Sequence, residues 1–380
     1  MALTPLQPVA DETDLMTDDA CPFFAHEQHA SPVPASERAV LLQDPGFGRV
    51  FTDHMVTIRY RAERGWHDPR IHPRVPLQID PACAVLHYAQ EIFEGLKAYR
   101  LEDGATALFR AGENARRFRT SAERLAMAQL PEELFLRSCR ELVSVDRDWI
   151  PEAEGGALYL RPFMIASGTY LGVKPSDEYL YMVIASSVGA YFKGGAPSVT
   201  LWVSEHYTRA APGGTGAAKC GGNYAASLAA QAEAIAHGCD QVVFLDAAER
   251  RWIEELGGMN VFFVMDDDSL VTPPLGGTIL PGVTRDSLIR LAHDMGLTVR
   301  EERYAIDQWQ ADAASGRLRE SFACGTAAVV TPIGRVQGAE LDFTIGNGGP
   351  GTISERLRTA LVDIQRGRAP DPHGWIERLF

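Results

Sequence analysis

The sequence predicts a mixed α/β protein, of the α+β kind, with two domains. Its 380 residues are enough for two domains, each with a sizeable core. Strand-like and helical patterns alternate irregularly along the chain, without an internal repeat. A stretch rich in Gly and Pro, KGGAPS (193–198), is the best candidate for a linker. We therefore expect a smaller N-terminal domain over 1–192 and a larger domain over 199–380.

The N-terminal half contains both types of element. Strands are rich in β-branched and aromatic residues, whereas amphipathic helices repeat apolar residues every three or four positions. The segments that fit strands are MVTIRYRA (55–62), TALFRA (106–111) and the more apolar EYLYMVIASSVGAYF (178–192). The segments that fit helices are ENARRFRTSAERLAM (113–127) and PEELFLRSCRELVSVDRDWI (131–150).

The C-terminal half begins with a strand pattern, VTLWVSE (199–205). Two helices are predicted after it, NYAASLAAQAEAIAHG (223–238) and TRDSLIRLAHDMG (284–296), and each ends at a glycine. Between them, residues 240–273 fit several strands joined by turns.

The composition narrows the class of function. The net charge of −14 argues against a nucleic-acid partner, because phosphate binding needs a basic surface. No apolar run is long enough to span a bilayer, and residues 1–34 fit a polar, mobile arm rather than a secretory signal. The six cysteines are scattered without a Cys-x-x-Cys pair, so we expect neither a metal site nor disulfides, and a cytoplasmic location.

The stretch APGGTGAAKCGGNYAASLAAQAEA (211–234) places one lysine, Lys219, among small residues. One interpretation is an ordinary solvated lysine at the end of a loop. A second is a nucleotide-binding P-loop, but Ala218 and Cys220 replace the glycine and the hydroxyl that this motif needs. A third is a nucleophilic lysine that binds a flat aldehyde cofactor, because low polarity favours the neutral amine.

The third interpretation requires further groups, and the sequence offers them. Pyridoxal phosphate (PLP) needs a donor at its phenolate oxygen, an acid near its ring nitrogen and a phosphate site. Tyr224 is a candidate donor. Glu254 and Glu255 are candidate acids, and only one can enter the site if the segment is extended. TILPGVTRDSL (278–288) places Gly and Thr at the start of a helix, as phosphate sites do.

Eight motifs along the chain share one resemblance. They are LHYAQEIFEGLKAYR (86–100), ENARRFRTSAERL (113–125), ALYLRPF (157–163), GAYFKGG (189–195), GGTGAAKCGGNYAASL (213–228), EELGGMN (254–260), LPGVTRDSL (280–288) and FACGTAAVVTP (322–332). With these motifs, residues 46–375 resemble the branched-chain amino-acid aminotransferases, which are PLP enzymes of fold-type IV. The resemblance implies a homodimer that transfers an amino group reversibly between L-leucine, L-isoleucine or L-valine and 2-oxoglutarate.

The resemblance also implies roles for individual residues. Lys219 matches the lysine that binds PLP covalently, Tyr224 the tyrosine at the phenolate oxygen, and Glu255 the acid at the ring nitrogen. These three are the expected catalytic residues. The matches to the phosphate site are Arg117, Val283, Thr284 and Thr326. The matches to the substrate pocket are Tyr88, Phe93, Tyr159, Arg161, Val173, Tyr191, Gly258, Met259, Thr326 and Ala327. Among these, Val173 matches a residue that reaches into the partner subunit's site.

The chain departs from the family pattern at three places. Residues 165–173 differ from the usual sequence, and Gly258 stands where some members have threonine. Ala328 and Thr331 replace a redox-sensitive cysteine pair of some members, so that switch is not expected. Three alternatives remain at this point: a D-amino-acid aminotransferase or an aminodeoxychorismate lyase of the same fold type, and a P-loop phosphotransferase. EIFEGLKAYR and GGMN favour the branched-chain enzyme.

Overall fold

The computed structural model describes residues 23–189 and 198–380. Tyr191, nearly all of the expected linker and the first part of the expected arm lie outside these residues. The helices of the described residues are α1 (Ala35–Gln43), α2 (Ala84–Tyr88), α3 (Ala111–Arg124), α4 (Glu132–Val145), α5 (Gly221–Ala236), α6 (Val283–Asp294), α7 (Ile306–Ser315) and α8 (Thr352–Gln365).

The strands form two mixed sheets. Those of the first half are β1 (Ala25–His26), β2 (Val50–Arg61), β3 (Gly65–Pro73), β4 (Glu91–Phe93), β5 (Leu96–Arg100), β6 (Thr106–Phe109), β7 (Ala157–Ala166) and β8 (Glu178–Val188). Those of the second half are β9 (Val199–Ser204), β10 (Gln241–Leu245), β11 (Ile253–Leu256), β12 (Asn260–Met265), β13 (Leu270–Thr272), β14 (Val299–Glu301), β15 (Leu318–Gly325), β16 (Val329–Gln337), β17 (Asp342–Thr344) and β18 (Ile376–Arg378). The mixed α/β class predicted from the sequence is confirmed.

The first sheet has the strand order β1-β3-β2-β8-β7-β5-β6-β18, and β4 also pairs with β7. Helices α3 and α4 pack against each other, and α4 lies on β2, β7 and β8. Phe118 of α3, Phe135 of α4 and Tyr181 of β8 meet in the buried core between helices and sheet. Burial of aromatic side chains of this size is a large contribution to the stability of this layer.

The second sheet has the order β11-β10-β9-β16-β15-β12-β13-β14, with β17 on β16. Helix α7 places Trp309 in the core on one side of this sheet, against Phe263. Helices α6 and α8 pack against each other and against β15. Their buried residues join Phe262 and Phe322 of the second sheet to Tyr99 and Phe109 of the first sheet in one hydrophobic cluster. The two sheets therefore share a core.

Two details differ from the expected domain limits. Ala25 and His26, which were expected in the mobile arm, pair with β3, and Phe24 beside them is buried. The last strand, β18, pairs with β6 of the first sheet although it lies in the expected domain 199–380. It returns there because Trp375 packs on Phe109, at a ring separation of 5.7 Å. The predicted boundary between the two domains, at 193–198, stays a prediction.

The helices expected at 113–127, 223–238 and 284–296 correspond to α3, α5 and α6. The helix expected at 131–150 ends earlier, at Val145, and a single 3₁₀ turn over Arg147–Trp149 follows. At the break, the buried carboxylate of Asp146 contacts the backbone N–H and the ring of His54. Among the described residues, no helix is long and apolar enough to cross a membrane.

Candidate active site

Lys219 lies two residues before α5, in the second half of the chain. Its backbone N–H donates to Ser121 Oγ at 2.9 Å, and its carbonyl accepts from the Phe93 N–H at 3.0 Å. These two bonds attach the segment before α5 to α3 and to β4. The lysine backbone is therefore fixed by elements of the first sheet, although the chain has already entered the second half.

The amine of Lys219 lies in apolar and aromatic surroundings. Its Nζ donates to the Tyr224 hydroxyl oxygen at 2.7 Å and lies 4.8 Å from the centre of the Phe93 ring. Burial, with the nearby charge of Arg117, lowers the pKa of Lys219 to about 8. A substantial fraction of the amine is thus neutral near physiological pH, as a nucleophile or base requires.

The two adjacent glutamates of β11 point to opposite faces, as the two-residue period of a strand predicts. Glu255 is 2% exposed and lies in the interior. Glu254 is less buried and accepts a hydrogen bond from Thr278 Oγ1 at 2.6 Å. Glu255 is therefore the more buried of the two, and its role at the cofactor stays a prediction.

The carboxylate of Glu255 has three neighbours. Its Oε1 lies 2.9 Å from Arg209 Nη1 and accepts from the Leu280 N–H at 2.9 Å. Its Oε2 has a longer contact, at 3.4 Å, with Asn260 Nδ2. Burial raises the pKa of Glu255 to about 7, while the guanidinium of Arg209 and the Leu280 N–H act in the opposite direction.

The start of α6 forms a candidate phosphate site. Gly282 precedes the helix and brings no side chain to cap it, so the N–H groups of Val283 and Thr284 are available to an anion. A Cβ at Gly282 would lie 2.0 Å from Asn260 Oδ1, so this close approach requires glycine. Arg117 lies beside the helix start, where its Nη1 donates to the Pro281 carbonyl at 3.0 Å.

Arg117 is held by Glu94, a residue that sequence analysis did not select. Glu94 is fully buried, and its two oxygens accept from Arg117 Nε at 2.7 Å and Nη2 at 2.8 Å. Asn114 Nδ2 donates to the same carboxylate at 2.8 Å. A guanidinium has five N–H donors, and the contacts with Glu94 and Pro281 use three of them. Two donors therefore remain for a ligand.

One cavity brings together most of the residues expected to bind substrate. Its lining includes Lys219 and Tyr224 together with Phe93, Tyr159, Arg161, Gly258, Met259, Thr326 and Ala327. Thr326 also lines an adjoining recess with Val283 and Thr284. Gly95, at the cavity wall, has no room for a side chain, because a Cβ there would lie 2.0 Å from the Tyr159 hydroxyl.

Arg161 is the cation at the edge of this cavity. Its guanidinium lies over the Phe93 ring, 4.8 Å from the ring centre, and its Nη2 donates to the Tyr159 hydroxyl at 3.1 Å. Its Nε is buried without a hydrogen-bond acceptor among the described residues. A ligand carboxylate is a suitable partner for such a group.

Two expected pocket residues lie away from this cavity. Tyr88 is partly exposed and its hydroxyl donates to the Leu171 carbonyl, while Val173 is 86% exposed. The contact between Tyr88 and Leu171 joins α2 to the loop that carries Val173. In a single chain, therefore, neither residue reaches Lys219.

Lys97 is a second residue that sequence analysis did not select for the site. It is buried on β5, and its Nζ donates to the Ala327 carbonyl at 3.0 Å. It thereby holds the turn at 325–328 from the opposite sheet. Val329, at the end of this turn, has a φ of +62°, a conformation that costs a β-branched residue roughly 1–3 kcal/mol. Backbone strain of this kind concentrates at ligand sites.

The donor set fits PLP. Lys219 provides an amine with a lowered pKa beside Tyr224, and Glu255 retains an oxygen with only one long contact. The first turn of α6 and the two remaining donors of Arg117 suit a phosphate dianion. Among the described residues, no group of His, Cys, Asp or Glu side chains is arranged to hold a metal ion.

Comparisons with known proteins identify the family of the chain. Residues 91–336 match the family described as Amino-transferase class IV. The branched-chain-amino-acid aminotransferase of Mycobacterium tuberculosis (strain CDC 1551 / Oshkosh) is 56% identical over 353 residues, which cover 92% of this chain and 96% of that protein. The enzyme of the same name from Mycolicibacterium smegmatis is 54% identical over 360 residues, 94% of this chain and 98% of that protein.

A solved structure has the same fold. A branched-chain amino acid aminotransferase designated T.th., solved with pyridoxamine 5'-phosphate, aligns with a TM-score of 0.70 at 30% identity, covering 85% of this chain and 98% of that chain. The same protein has been solved with N-(5'-phosphopyridoxyl)-L-glutamate and with 4-methylvaleric acid. The chain therefore belongs to the amino-transferase class IV family, among the branched-chain-amino-acid aminotransferases.

Proposed function

We propose that the protein transfers an amino group reversibly between L-leucine, L-isoleucine or L-valine and 2-oxoglutarate, with PLP held at Lys219. The observation that carries this proposal is the contact of 2.7 Å between Lys219 Nζ and the Tyr224 hydroxyl, in a cavity that also contains Arg161. The cofactor, when bound, supplies an aldehyde that takes up the amino group and a ring that accepts the electrons of the broken Cα–H bond.

Lys219 and Tyr224 act on protons at the cavity centre. The neutral amine of Lys219 accepts the proton from the substrate Cα, because its pKa of about 8 makes it a base near physiological pH. Burial raises the pKa of Tyr224 to about 12, so its hydroxyl keeps its proton and can donate to an oxygen anion. Glu255, which is buried, would hold a proton on the ring nitrogen.

Arg117, Val283, Thr284 and Thr326 would hold the phosphate. A planar guanidinium fixed by Glu94 offers two donors without losing side-chain freedom when the anion binds. The positive end of the α6 dipole adds to this attraction. The phosphate would thus fix the position of the cofactor relative to Lys219.

The substrate cavity suits both an aliphatic and an acidic side chain. Phe93 and Met259 provide apolar walls, and Arg161 with Tyr159 provides a polar edge. An aliphatic chain lies against the walls, and a second carboxylate can reach the edge, where its burial is compensated by charge. The T.th. enzyme, solved both with a phosphopyridoxyl-glutamate and with 4-methylvaleric acid, supports the same dual use.

A cytoplasmic homodimer is the assembly that we propose. Leu171 and Val173 are 68% and 86% exposed, and Leu86 of α2 is 58% exposed. Apolar side chains grouped at such exposure are suited to a protein interface. In this arrangement Val173 would contribute to the cavity of the partner subunit.

The proposal is tested by the visible spectrum of the PLP-loaded protein, recorded before and after L-leucine. The cofactor band should change with L-leucine and be restored by 2-oxoglutarate. D-alanine and aminodeoxychorismate should give no comparable turnover; preference for either would assign the chain to that activity.

The chain has four lysines, so borohydride reduction of the PLP-loaded protein and peptide mapping identify the one that binds the cofactor. The label should be on Lys219, and not on Lys97, Lys174 or Lys193.

A further inference from the structure

Arg209 is a buried cation that the proposed function does not yet use. It follows β9 and is 5% exposed. Its Nη1 lies 2.9 Å from Glu255 Oε1 and donates to the Thr278 carbonyl at 2.9 Å, while Nη2 donates to the Gly216 carbonyl at 3.4 Å. The guanidinium therefore connects the catalytic carboxylate to the glycine-rich segment before Lys219.

We propose that Arg209 is a positioning residue that keeps Glu255 ionised and leaves its Oε2 as the oxygen that serves the cofactor ring nitrogen. The inference rests on the proposed function, because it assigns a use to Glu255 that only PLP chemistry requires. The inference thus gives Arg209 a role in the reaction, in addition to Lys219, Tyr224 and Glu255.

The hydrogen bonds of Glu255 support the choice of oxygen. Oε1 forms an ion pair with Arg209, whose Nη1 lies 2.9 Å away, and accepts a hydrogen bond from the Leu280 N–H at 2.9 Å. Oε2 has the longer contact of 3.4 Å with Asn260 Nδ2. Oε1 is therefore engaged by an ion pair and a short hydrogen bond, whereas Oε2 has one long contact and can accept a further donor.

The charges around Glu255 support the choice of Arg209. Burial and the neighbouring Glu254 raise the pKa of Glu255, whereas Arg209 and, more weakly, Lys219 lower it. The other titratable groups that face it are Tyr224 and Cys324, and burial raises the pKa of each to about 12, so both are neutral near physiological pH. Lys219 loses its charge as it becomes a base. Arg209 is then the permanent cation at this carboxylate.

The function of the ion pair between Arg209 and Glu255 follows from acid–base chemistry. A carboxylate can hold a proton on a ring nitrogen, but a neutral carboxylic acid cannot do so as effectively. Because Glu255 has a pKa of about 7, a modest loss of positive charge would make it neutral at physiological pH. The rate of Cα–H cleavage would then depend on pH near neutrality.

The test compares Arg209→Met, which removes the charge, with Arg209→Lys, which keeps it on a shorter side chain. Arg285→Met is the matched control, since Arg285 is a buried arginine paired with Glu301 at 2.6 Å. The pKa of Glu255 is measured without cofactor by ¹³C NMR of labelled glutamate, with Glu255→Gln for assignment. We expect a rise of about 1–3 pH units in Arg209→Met, a smaller rise in Arg209→Lys and no rise in the control.

The second readout is the pH dependence of kcat for L-leucine. Activity requires ionised Glu255 and falls as pH decreases through its pKa, so the acidic limb should move to higher pH, in the same direction as the shift seen in NMR. An unchanged Glu255 pKa in folded Arg209→Met would overturn the inference. If that variant does not fold, an unchanged pKa in Arg209→Lys would overturn it equally. Failure of the wild-type protein to respond to L-leucine would instead overturn the proposed function, because the NMR measurement needs no cofactor.

Discussion

Adjacent glutamates of β11 have the same side chain and different surroundings. Glu255 is buried and forms an ion pair with Arg209, whereas Glu254 is less buried and accepts a hydrogen bond from Thr278. Glu255→Gln should lower kcat roughly 10²- to 10⁴-fold, because the charge that holds a proton on the ring nitrogen is lost. Glu254→Gln, the matched control, should change kcat little. Steady-state kinetics with L-leucine measures both, and equal losses would contradict the assigned orientation.

Arg161 is the residue that should distinguish the two substrates. A charge-assisted hydrogen bond contributes roughly 1.5–3 kcal/mol, or about 10- to 100-fold in affinity. Arg161→Gln should therefore raise KM for glutamate and 2-oxoglutarate by about that factor, and KM for leucine much less. Kinetics of the two half-reactions provide the comparison. If leucine and glutamate are affected equally, Arg161 binds the α-carboxylate that they share or supports the site in another way.

At the scale of elements, the turn between β4 and β5 is joined to α3 by the buried pair of Glu94 and Arg117. Glu94→Gln leaves Arg117 buried without its counter-charge, which costs roughly 3–5 kcal/mol. The cofactor-free variant should melt at a lower temperature, and PLP should raise its Tm more than that of the wild type, because the phosphate replaces the lost charge. Glu249→Gln, at an exposed ion pair with Arg303, should have a small effect. If PLP raises the Tm of wild type and of Glu94→Gln by the same amount, Glu94 does not contribute to the phosphate site.

Local sequence patterns predicted the helices and strands well, but they did not predict the contacts between these elements. Apolar spacing indicated α3, α5 and α6, and the same spacing at Ile353, Leu357, Leu361 and Ile364 would have indicated α8. Lys219 and Tyr224 lie five residues apart, so one motif contained both. Glu94, Lys97 and Arg209 were missed because their partners lie far along the chain. A charged residue inside an apolar motif, as in EIFEGLKAYR, is the signal that sequence analysis could use.

At the scale of the whole molecule, Lys97 connects the two sheets. Burial and, to a smaller extent, the nearby charge of Arg366 lower its pKa to about 8 in the folded protein, whereas an unfolded lysine has a pKa of about 10.4. The unfolded chain therefore binds more protons between about pH 8 and about pH 10, so this lysine makes the free energy of unfolding increase with pH there.

Lys97→Met should remove this pH-dependent increase. Urea unfolding of the cofactor-free protein measures the free energy of unfolding of wild type and variant at several pH values. The contribution of Lys219 is the same in both proteins and cancels in the difference. Lys174→Met, at an exposed lysine, controls for the loss of a positive charge as such. Parallel stability curves for wild type and Lys97→Met would show that Lys97 is charged in the folded protein throughout.

The pairing of β18 with β6 also affects the order of events during synthesis. Ile376 is the partner of Phe109, so the edge of the first sheet at β6 is covered only after the strands of the second sheet have left the ribosome. Until then, β6 presents unpaired N–H and C=O groups, which other chains can bind. Folding of the first sheet is thus completed only after the second sheet has been synthesised.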